Sequence, residues 1–261
     1  MRKISFFEKN LLNSTTSYVF TSALTSGAFW LYDEKDRTVL SSVGSDDLTP
    51  EVWEFEFGGS LSISAVHIGN HNLKEFSLQY WSSTAFVDFS PAVSTTTNSS
   101  FYNFISDLGV FTDRIKITMN KTMVADQEKS IGSLRIMNGL GEVSINPHKA
   151  DLRYHENSRS YYTDSKENVY VLFGVSVKID LEFGNLPPED INILESCKYL
   201  GEPFYVYPCG GEQCSNARGW RIQDIFLCNY TNEFSPKISD NQLQNGEDIK
   251  VSLESVKTRS Q

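Results

Sequence analysis

The first half of the chain alternates apolar and polar residues with a period of two. Residues 53–57 place three aromatic side chains on one face of a strand and two glutamates on the other. Residues 115–119 and 134–136 repeat this alternation, and further strands are predicted over 63–68 and 76–81. Many short strands with turn residues between them predict an all-β sandwich.

The second half contains a much longer alternating run, over residues 169–183, with an apolar side chain at every second position. At about 3.3 Å per residue this run would span roughly 50 Å, which exceeds a typical strand. It is therefore expected either to bend at Gly174 through a bulge or to extend past its own domain. An uncovered edge of that length would aggregate, so the run needs a partner.

A single helix is predicted to follow this strand. Pro187 and Pro188 suit its first turn, and Glu189 and Asp190 complement the positive end of its dipole. Gly201 lies where a C-terminal cap is expected. The remaining alternating segments predict further strands, so the second half is expected to be a sandwich with one flanking α-helix and a long strand or hairpin.

A domain boundary is predicted at residues 138–141, where Asn-Gly-Leu-Gly interrupts the strand pattern. A chain of 261 residues also exceeds one typical sandwich. We therefore predict two tandem all-β domains, residues 1–138 and residues 139–261.

Four pieces of the first half resemble the discoidin-like, galactose-binding-like β-sandwich family. In that family an acidic loop closing on Asp-x-x-Thr precedes a Trp-containing strand, and a Leu-Lys-x-Phe-x-Leu-x-Tyr strand follows. The matching pieces are Leu31-Tyr32-Asp33, Asp36-Arg37-Thr38, Trp53-Glu54-Phe55-Glu56-Phe57 and Leu73-Lys74-Glu75-Phe76-Ser77-Leu78-Gln79-Tyr80. The resemblance covers residues 5–138. It implies a jelly-roll fold and a role in binding rather than catalysis.

Four pieces of the second half are similar to modules of bacteriophage tail tubes, distal tail rings and baseplates. They are the run over 169–183, the helix start at 186–190, the turn at 201–204 and the loop at 232–236. This resemblance covers residues 139–258. It implies a virion protein that is assembled in the host cytoplasm and forms a homo-oligomer with other tail proteins around it.

Net charge, hydrophobicity and cysteine content limit the classes of function that the chain can have. The net charge of −10 disfavours binding to nucleic acid. No apolar run reaches the ~20 residues of a membrane helix, and no conventional signal peptide is visible. Cys197, Cys209, Cys214 and Cys228 are therefore expected to be free thiols in a chain folded in a cytoplasm, rather than a zinc site.

Aromatic residues in loops or at strand ends are the candidate ligand contacts. Trp30, Tyr32, Trp81 and Phe86 occupy such positions in the first domain. Sugar-binding sandwiches use exposed aromatic faces beside hydrogen-bonding groups. The alternative is that these residues belong to the core, as most aromatic residues do.

Acidic and histidine residues raise the question of metal binding. Asp33, Asp36 and Asp46 lie in an acidic stretch that could hold a structural calcium, and the alternative is an ordinary solvated loop. His67 and His71 are expected at the surface or capping a turn, since neither has the convergent partners of a metal site. No other cofactor is predicted.

Tyrosine and arginine residues cluster in a polar segment of the second domain. Protein–protein contacts are enriched in these two residue types. The segment therefore predicts assembly contacts through Arg153, Tyr154, Arg159, Tyr161 and Tyr162.

No phosphate-binding loop, Gly-x-Ser-x-Gly or His-Glu-x-x-His motif occurs, so no enzymatic activity is predicted. The leading hypothesis is a structural component of a phage tail or tail-like particle. Its first domain would face outward for adhesion or assembly, with a cell-surface glycan as a candidate partner. The alternative is a free, lectin-like carbohydrate-binding protein.

Overall fold

The computed structural model describes residues 4–32, 39–144, 147, 149–162, 168–184, 186–207, 225–231 and 249–255. These residues contain a helix α1 (Pro188–Tyr199), a short 3-10 helix (Ala28–Leu31) and seventeen strands. The strands of the first half are β1 (Ile4–Phe7), β2 (Ser17–Phe20), β3 (Leu40–Ser41), β4 (Glu51–Ile63), β5 (Ala65–Gly69), β6 (Leu73–Trp81), β7 (Phe86–Thr95), β8 (Tyr102–Ile105), β9 (Val110–Thr122), β10 (Ser130–Ile131) and β11 (Ser133–Met137). The strands of the second half are β12 (Gly139–Val143), β13 (Lys149–Tyr162), β14 (Asn168–Phe183), β15 (Phe204–Tyr207), β16 (Phe226–Tyr230) and β17 (Ile249–Ser255). The predicted all-β class is confirmed.

The chain divides into two compact units. The first unit is residues 10–139, and the second combines residues 1–9 with residues 140–261. The predicted first domain, residues 1–138, includes β1, whereas the structure pairs β1 antiparallel with β15, with Phe6 opposite Val206. The whole first unit is thus inserted between β1 and the rest of the second unit.

The first unit consists of two main sheets around one core. Five strands form a sheet in the order β2-β4-β9-β6-β7, and three form a sheet in the order β11-β5-β8. Trp53 and Ile117 from the larger sheet belong to the same buried cluster as Ile68 and Ile136 from the smaller one. The alternating side chains of β4 and β9 explain this arrangement, since one face of each strand is apolar and the other polar.

The described strands of the second unit form one sheet in the order β12-β1-β15-β16-β17-β14-β13. Helix α1 buries Ile191, Leu194 and Cys197. The hydroxyl of Tyr230 on β16 donates a hydrogen bond to the carbonyl oxygen of Leu194, at 3.0 Å. The helix therefore packs on the sheet through its apolar stripe.

Both ends of α1 follow the sequence prediction. Pro187 precedes the first turn, and Leu200 caps the last. Gly201 then adopts φ +68°, a left-handed conformation that favours glycine after a helix.

The long strand of the second half is β14, and it pairs with β13 along its whole length. Asn157 lies opposite Gly174 and Ser158 opposite Leu172, so Phe173 is an extra residue and forms a bulge beside the predicted glycine. On its other side, β14 pairs with β17 only over Lys178–Phe183. Residues 154–162 and 168–177 thus form a two-stranded ribbon beyond that pairing, which we call the β13–β14 arm.

Helix α1 does not have the length and apolar character needed to span a membrane, and it is the one α-helix among the described residues.

Candidate functional site

Two of the predicted ligand-binding residues meet at the end of the β6–β7 hairpin. Trp81 and Phe86 are directly opposite each other in the strand pairing. Their ring centres lie 5.1 Å apart with an interplanar angle of 68°, an edge-to-face contact. Both side chains are half-buried. They lie on the face of the sheet opposite the one to which the buried Leu78 contributes.

Two cations from the neighbouring strand β9 lie over these rings. The Cζ atom of Arg114 is 5.3 Å from the centre of the Trp81 ring, and Nζ of Lys116 is 4.5 Å from the centre of the Phe86 ring. Such cation–π contacts contribute about 0.5–1 kcal/mol each at exposed sites. We call these four residues the aromatic–cation patch.

An ion pair and two hydrogen bonds stabilise the side chains and backbone next to the patch. Nη2 of Arg114 lies 3.1 Å from a carboxylate oxygen of Glu56. Nε2 of Gln79 donates to Asp88 at 2.9 Å, two residue pairs along the hairpin from the rings. The hydroxyl of Thr112 donates to the carbonyl oxygen of Trp81 at 2.8 Å.

This arrangement presents aromatic surface beside several hydrogen-bonding groups on a rigid sheet. An amphipathic ligand with C–H surfaces and hydroxyl groups matches both properties. Arg114 and Lys116 were not among the functional residues predicted from the sequence. The sequence pattern could have identified them as outer-face residues, because both alternate with Ile115 and Ile117 of the core.

The other two predicted ligand-binding residues lie elsewhere. Tyr32 stacks on Tyr18 of β2, with ring centres 6.4 Å apart and an interplanar angle of 3°. Trp30 contacts Phe29, at 4.5 Å between ring centres. Three strand spacings separate β2 from β6 in the sheet, or about 14 Å at ~4.8 Å each. The structure therefore does not bring Tyr32 together with Trp81.

One of the three predicted calcium ligands is described, and its side chain caps a turn. Oδ1 of Asp46 accepts hydrogen bonds from the backbone N–H groups of Leu48 at 2.9 Å and Thr49 at 3.1 Å. Its carbonyl oxygen accepts a hydrogen bond from the ammonium group of Lys129. Asp33 and Asp36 lie outside the described residues. No cluster of three or more His, Cys, Asp or Glu side chains suited to a metal occurs in the part of the chain that the structure describes. The calcium site stays a prediction.

The predicted assembly residues follow one another along β13. Arg153 is exposed and pairs with Lys178, just before the arm begins, and Tyr162 pairs with Asn168 near its end. The backbone of Tyr154, Arg159 and Tyr161 runs between them in the same strand. Their role in assembly stays a prediction.

His67 and His71 are both buried, so the expectation that they lie at the surface is wrong. Their exposed fractions are 0% and 1%. His67 is buried because it lies on β5, which is the middle strand of its sheet and is buried along its whole length. His71 follows β5 and packs edge-to-face against the buried Phe76, with ring centres 5.8 Å apart. The capping role expected as an alternative does occur, because Nδ1 of His71 accepts a hydrogen bond from the backbone N–H of Leu73 at 3.1 Å.

Comparison with known proteins gives matches among solved structures. No protein-family profile matches the chain, and no curated protein matches it. A chitosan-binding module of a Paenibacillus sp. IK-5 chitosanase/glucanase is 14% identical, covering 50% of this chain and 100% of that one, with a TM-score of 0.42. A family 32 carbohydrate-binding module of C. perfringens, solved with galactose, is 17% identical over 52% of this chain and 99% of that one (TM-score 0.40). A Streptococcus pneumoniae fucose-binding module is 14% identical over 50% and 98% (TM-score 0.39).

These structures are galactose-binding-like β-sandwich domains, and they match the N-terminal half. None of the three is a tail or baseplate protein. The tail role predicted for the second half therefore stays a prediction.

Proposed function

We propose that the first unit is a non-catalytic carbohydrate-binding module and that the aromatic–cation patch contacts the glycan. The contact between Trp81 and Phe86 on the outer face of the sheet, with Arg114 and Lys116 over the rings, carries this proposal.

The chemistry of a sugar ring suits this surface. A pyranose presents C–H groups on its faces and hydroxyl groups around its edge. Aromatic rings pack against the first, and the side chains of Arg114, Gln79 and Asp88 offer donors and acceptors for the second. Because β6 and β9 already pair with neighbours on both sides, the ligand would not have to order the backbone.

The test is a glycan array probed with the full chain and with Trp81→Ala. The full chain is expected to bind a subset of glycans, and Trp81→Ala is expected to reduce that binding at least tenfold. Trp30→Ala is the matched control, since it removes the same side chain from a position outside the patch. An array without any bound glycan, or one that Trp81→Ala leaves unchanged, would show that the proposal is wrong.

A second candidate function is structural, as a component of a tail-like particle bound to other particle proteins. The β13–β14 arm favours it, because β13 is the last of the described strands in its sheet and the arm extends past the pairing with β17. Exposed edges of this length pair readily with other chains. Light scattering after size exclusion, over a series of protein concentrations, tests this candidate. A mass that stays that of one chain at every concentration, with the arm present, would count against self-assembly.

A further inference from the structure

A groove of about 290 Å³ opens between the two sheets of the first unit, where β7 and β8 are the end strands. Phe76, Ile105 and Leu108 supply much of its apolar lining. Its polar lining includes Thr95 and Asn103. The volume is at the lower limit of the roughly 300–1,000 Å³ typical of ligand pockets, so the groove suits a ligand of about one ring.

The side chain of Asn103 is oriented by a chain of hydrogen bonds that starts at the backbone. The N–H of Leu73 donates to Nδ1 of His71, so the proton of the neutral imidazole is on Nε2. Nε2 in turn lies 2.6 Å from Oδ1 of Asn103 and donates to it. Burial lowers the pKa of His71 to about 4, which keeps the ring neutral near pH 7.

The far end of this chain of hydrogen bonds is also fixed. Nδ2 of Asn103 donates to Oδ1 of Asn98 at 3.3 Å. Nδ2 of Asn98 donates to the carbonyl oxygens of Leu73, at 2.7 Å, and Ser100, at 2.8 Å. Both side-chain amides therefore have defined orientations.

Asn103 keeps hydrogen-bonding capacity for a ligand. A carboxamide has two N–H hydrogens and two oxygen lone pairs, and these contacts use one of each. Since Asn103 lines the groove, its remaining N–H and lone pair are the groups that it can offer to a partner there. Prior orientation lowers the entropy cost of binding such a partner.

We infer that the groove binds one uncharged sugar residue, with Asn103 as its hydrogen-bonding anchor. None of the residues that line the groove is charged, so a charged ligand would lose its hydration without an ionic partner. A small ring with an apolar face and several hydroxyl groups matches both the apolar and the polar residues of the lining. This site is separate from the aromatic–cation patch and does not depend on glycan binding there.

The test is saturation-transfer NMR on the full chain with free galactose, N-acetylglucosamine and glucuronic acid. At least one of the uncharged sugars is expected to bind, and glucuronic acid is expected to bind at least tenfold more weakly. Thr95→Phe places a ring in the groove and is expected to weaken binding at least tenfold. Thr97→Phe, at an exposed position outside the lining, is the matched control.

A second variant and three outcomes complete the test. Asn103→Asp keeps the acceptor for His71 but replaces the donor by a charge, so it is also expected to weaken binding. The inference is overturned if no uncharged monosaccharide binds, if glucuronic acid binds equally well, or if both groove variants bind like the control. The groove variants and their control are compared in a Trp81→Ala chain, in which the aromatic–cation patch is already disabled, so the result reports on the groove and is separate from that of the glycan array.

Discussion

Nε2 of His71 lies 2.6 Å from Oδ1 of Asn103, and this contact links a buried imidazole to the lining of the groove. The ring makes the contact as a neutral donor, since its other nitrogen accepts the N–H of Leu73. A protonated ring would direct an N–H at the N–H of Leu73. The first unit therefore depends on an uncharged His71.

Acid is expected to destabilise the first unit through His71. Burial lowers the pKa of His71 to about 4 in the folded chain, from 6.5. The unfolded chain therefore binds a proton in this pH range that the folded chain does not. The resulting stability is fully present above pH 6.5 and is lost as the pH falls towards 4, by up to about 3 kcal/mol.

Urea unfolding at pH 7.5 and pH 4.5 checks this prediction, with His71→Gln as the comparison. The free energy of unfolding is expected to fall more for the original chain than for the variant, because glutamine does not titrate. Equal decreases in the two chains would contradict the assignment to His71.

Removal of the cation over Trp81 is expected to affect binding more than stability. Arg114→Gln removes the cation–π contact and the ion pair with Glu56, which together are expected to stabilise the fold by about 0.5–2 kcal/mol. We expect weaker binding on the glycan array, because the Trp81 ring loses the guanidinium group of Arg114 that lies over it. Lys121→Gln is the control, since Lys121 forms an ion pair with Glu75 but lies outside the patch. A thermal unfolding scan of each chain shows whether the fold is unchanged. If both variants bind glycans equally well, Arg114 has no role in the patch.

The thiols of Cys197 and Cys228 are expected to be unreactive until the second unit unfolds. Both are buried and free, and burial raises the pKa of each, that of Cys197 to about 12. A thiol reagent reacts with the thiolate form, and the raised pKa of each thiol leaves very little thiolate at pH 8. The measurement uses a Cys209→Ser/Cys214→Ser chain, in which these two are the remaining cysteines. Rapid modification of the folded chain would disprove the prediction.

Shortening the β13–β14 arm is expected to abolish self-association without unfolding the sheet. Replacement of residues 158–172 by a two-residue turn removes most of the arm but leaves every pair between β14 and β17 in place. The oligomer expected for the full chain should then become a single chain by light scattering. Circular dichroism controls for folding. An oligomer of unchanged mass would place the association surface elsewhere.

Local sequence patterns predicted the strands and the helix well, because hydrophobic periodicity and the residues that begin or end an element depend on only a few neighbouring positions. The alternation around Trp53 and Ile117, the proline start of α1 and the glycine just after its end, Gly201, each depend on near neighbours in sequence. The pairing of β1 with β15 places Phe7 opposite Tyr205. The local sequence pattern of each strand does not identify the other strand as its partner.

The candidate sites were predicted in part for the same reason. Trp81 and Phe86 meet because they are paired in one hairpin. The groove needs β6, β7, β8 and the segment after β8 to converge, and its anchor Asn103 looks like an ordinary polar residue in the sequence. The burial of His71 depends on the same convergence of the two sheets.

The strand β1 has a consequence for synthesis on the ribosome. It is made before the first unit, yet both of its neighbours in the sheet follow that unit: β12 begins about 130 residues later and β15 about 200 residues later. At ~5–20 residues per second, β1 waits roughly 7–26 s for β12 and roughly 10–40 s for β15, as an apolar segment, while the first unit has time to fold. During that interval the nascent chain carries the sequence Ile-Ser-Phe-Phe in a form that chaperones can bind.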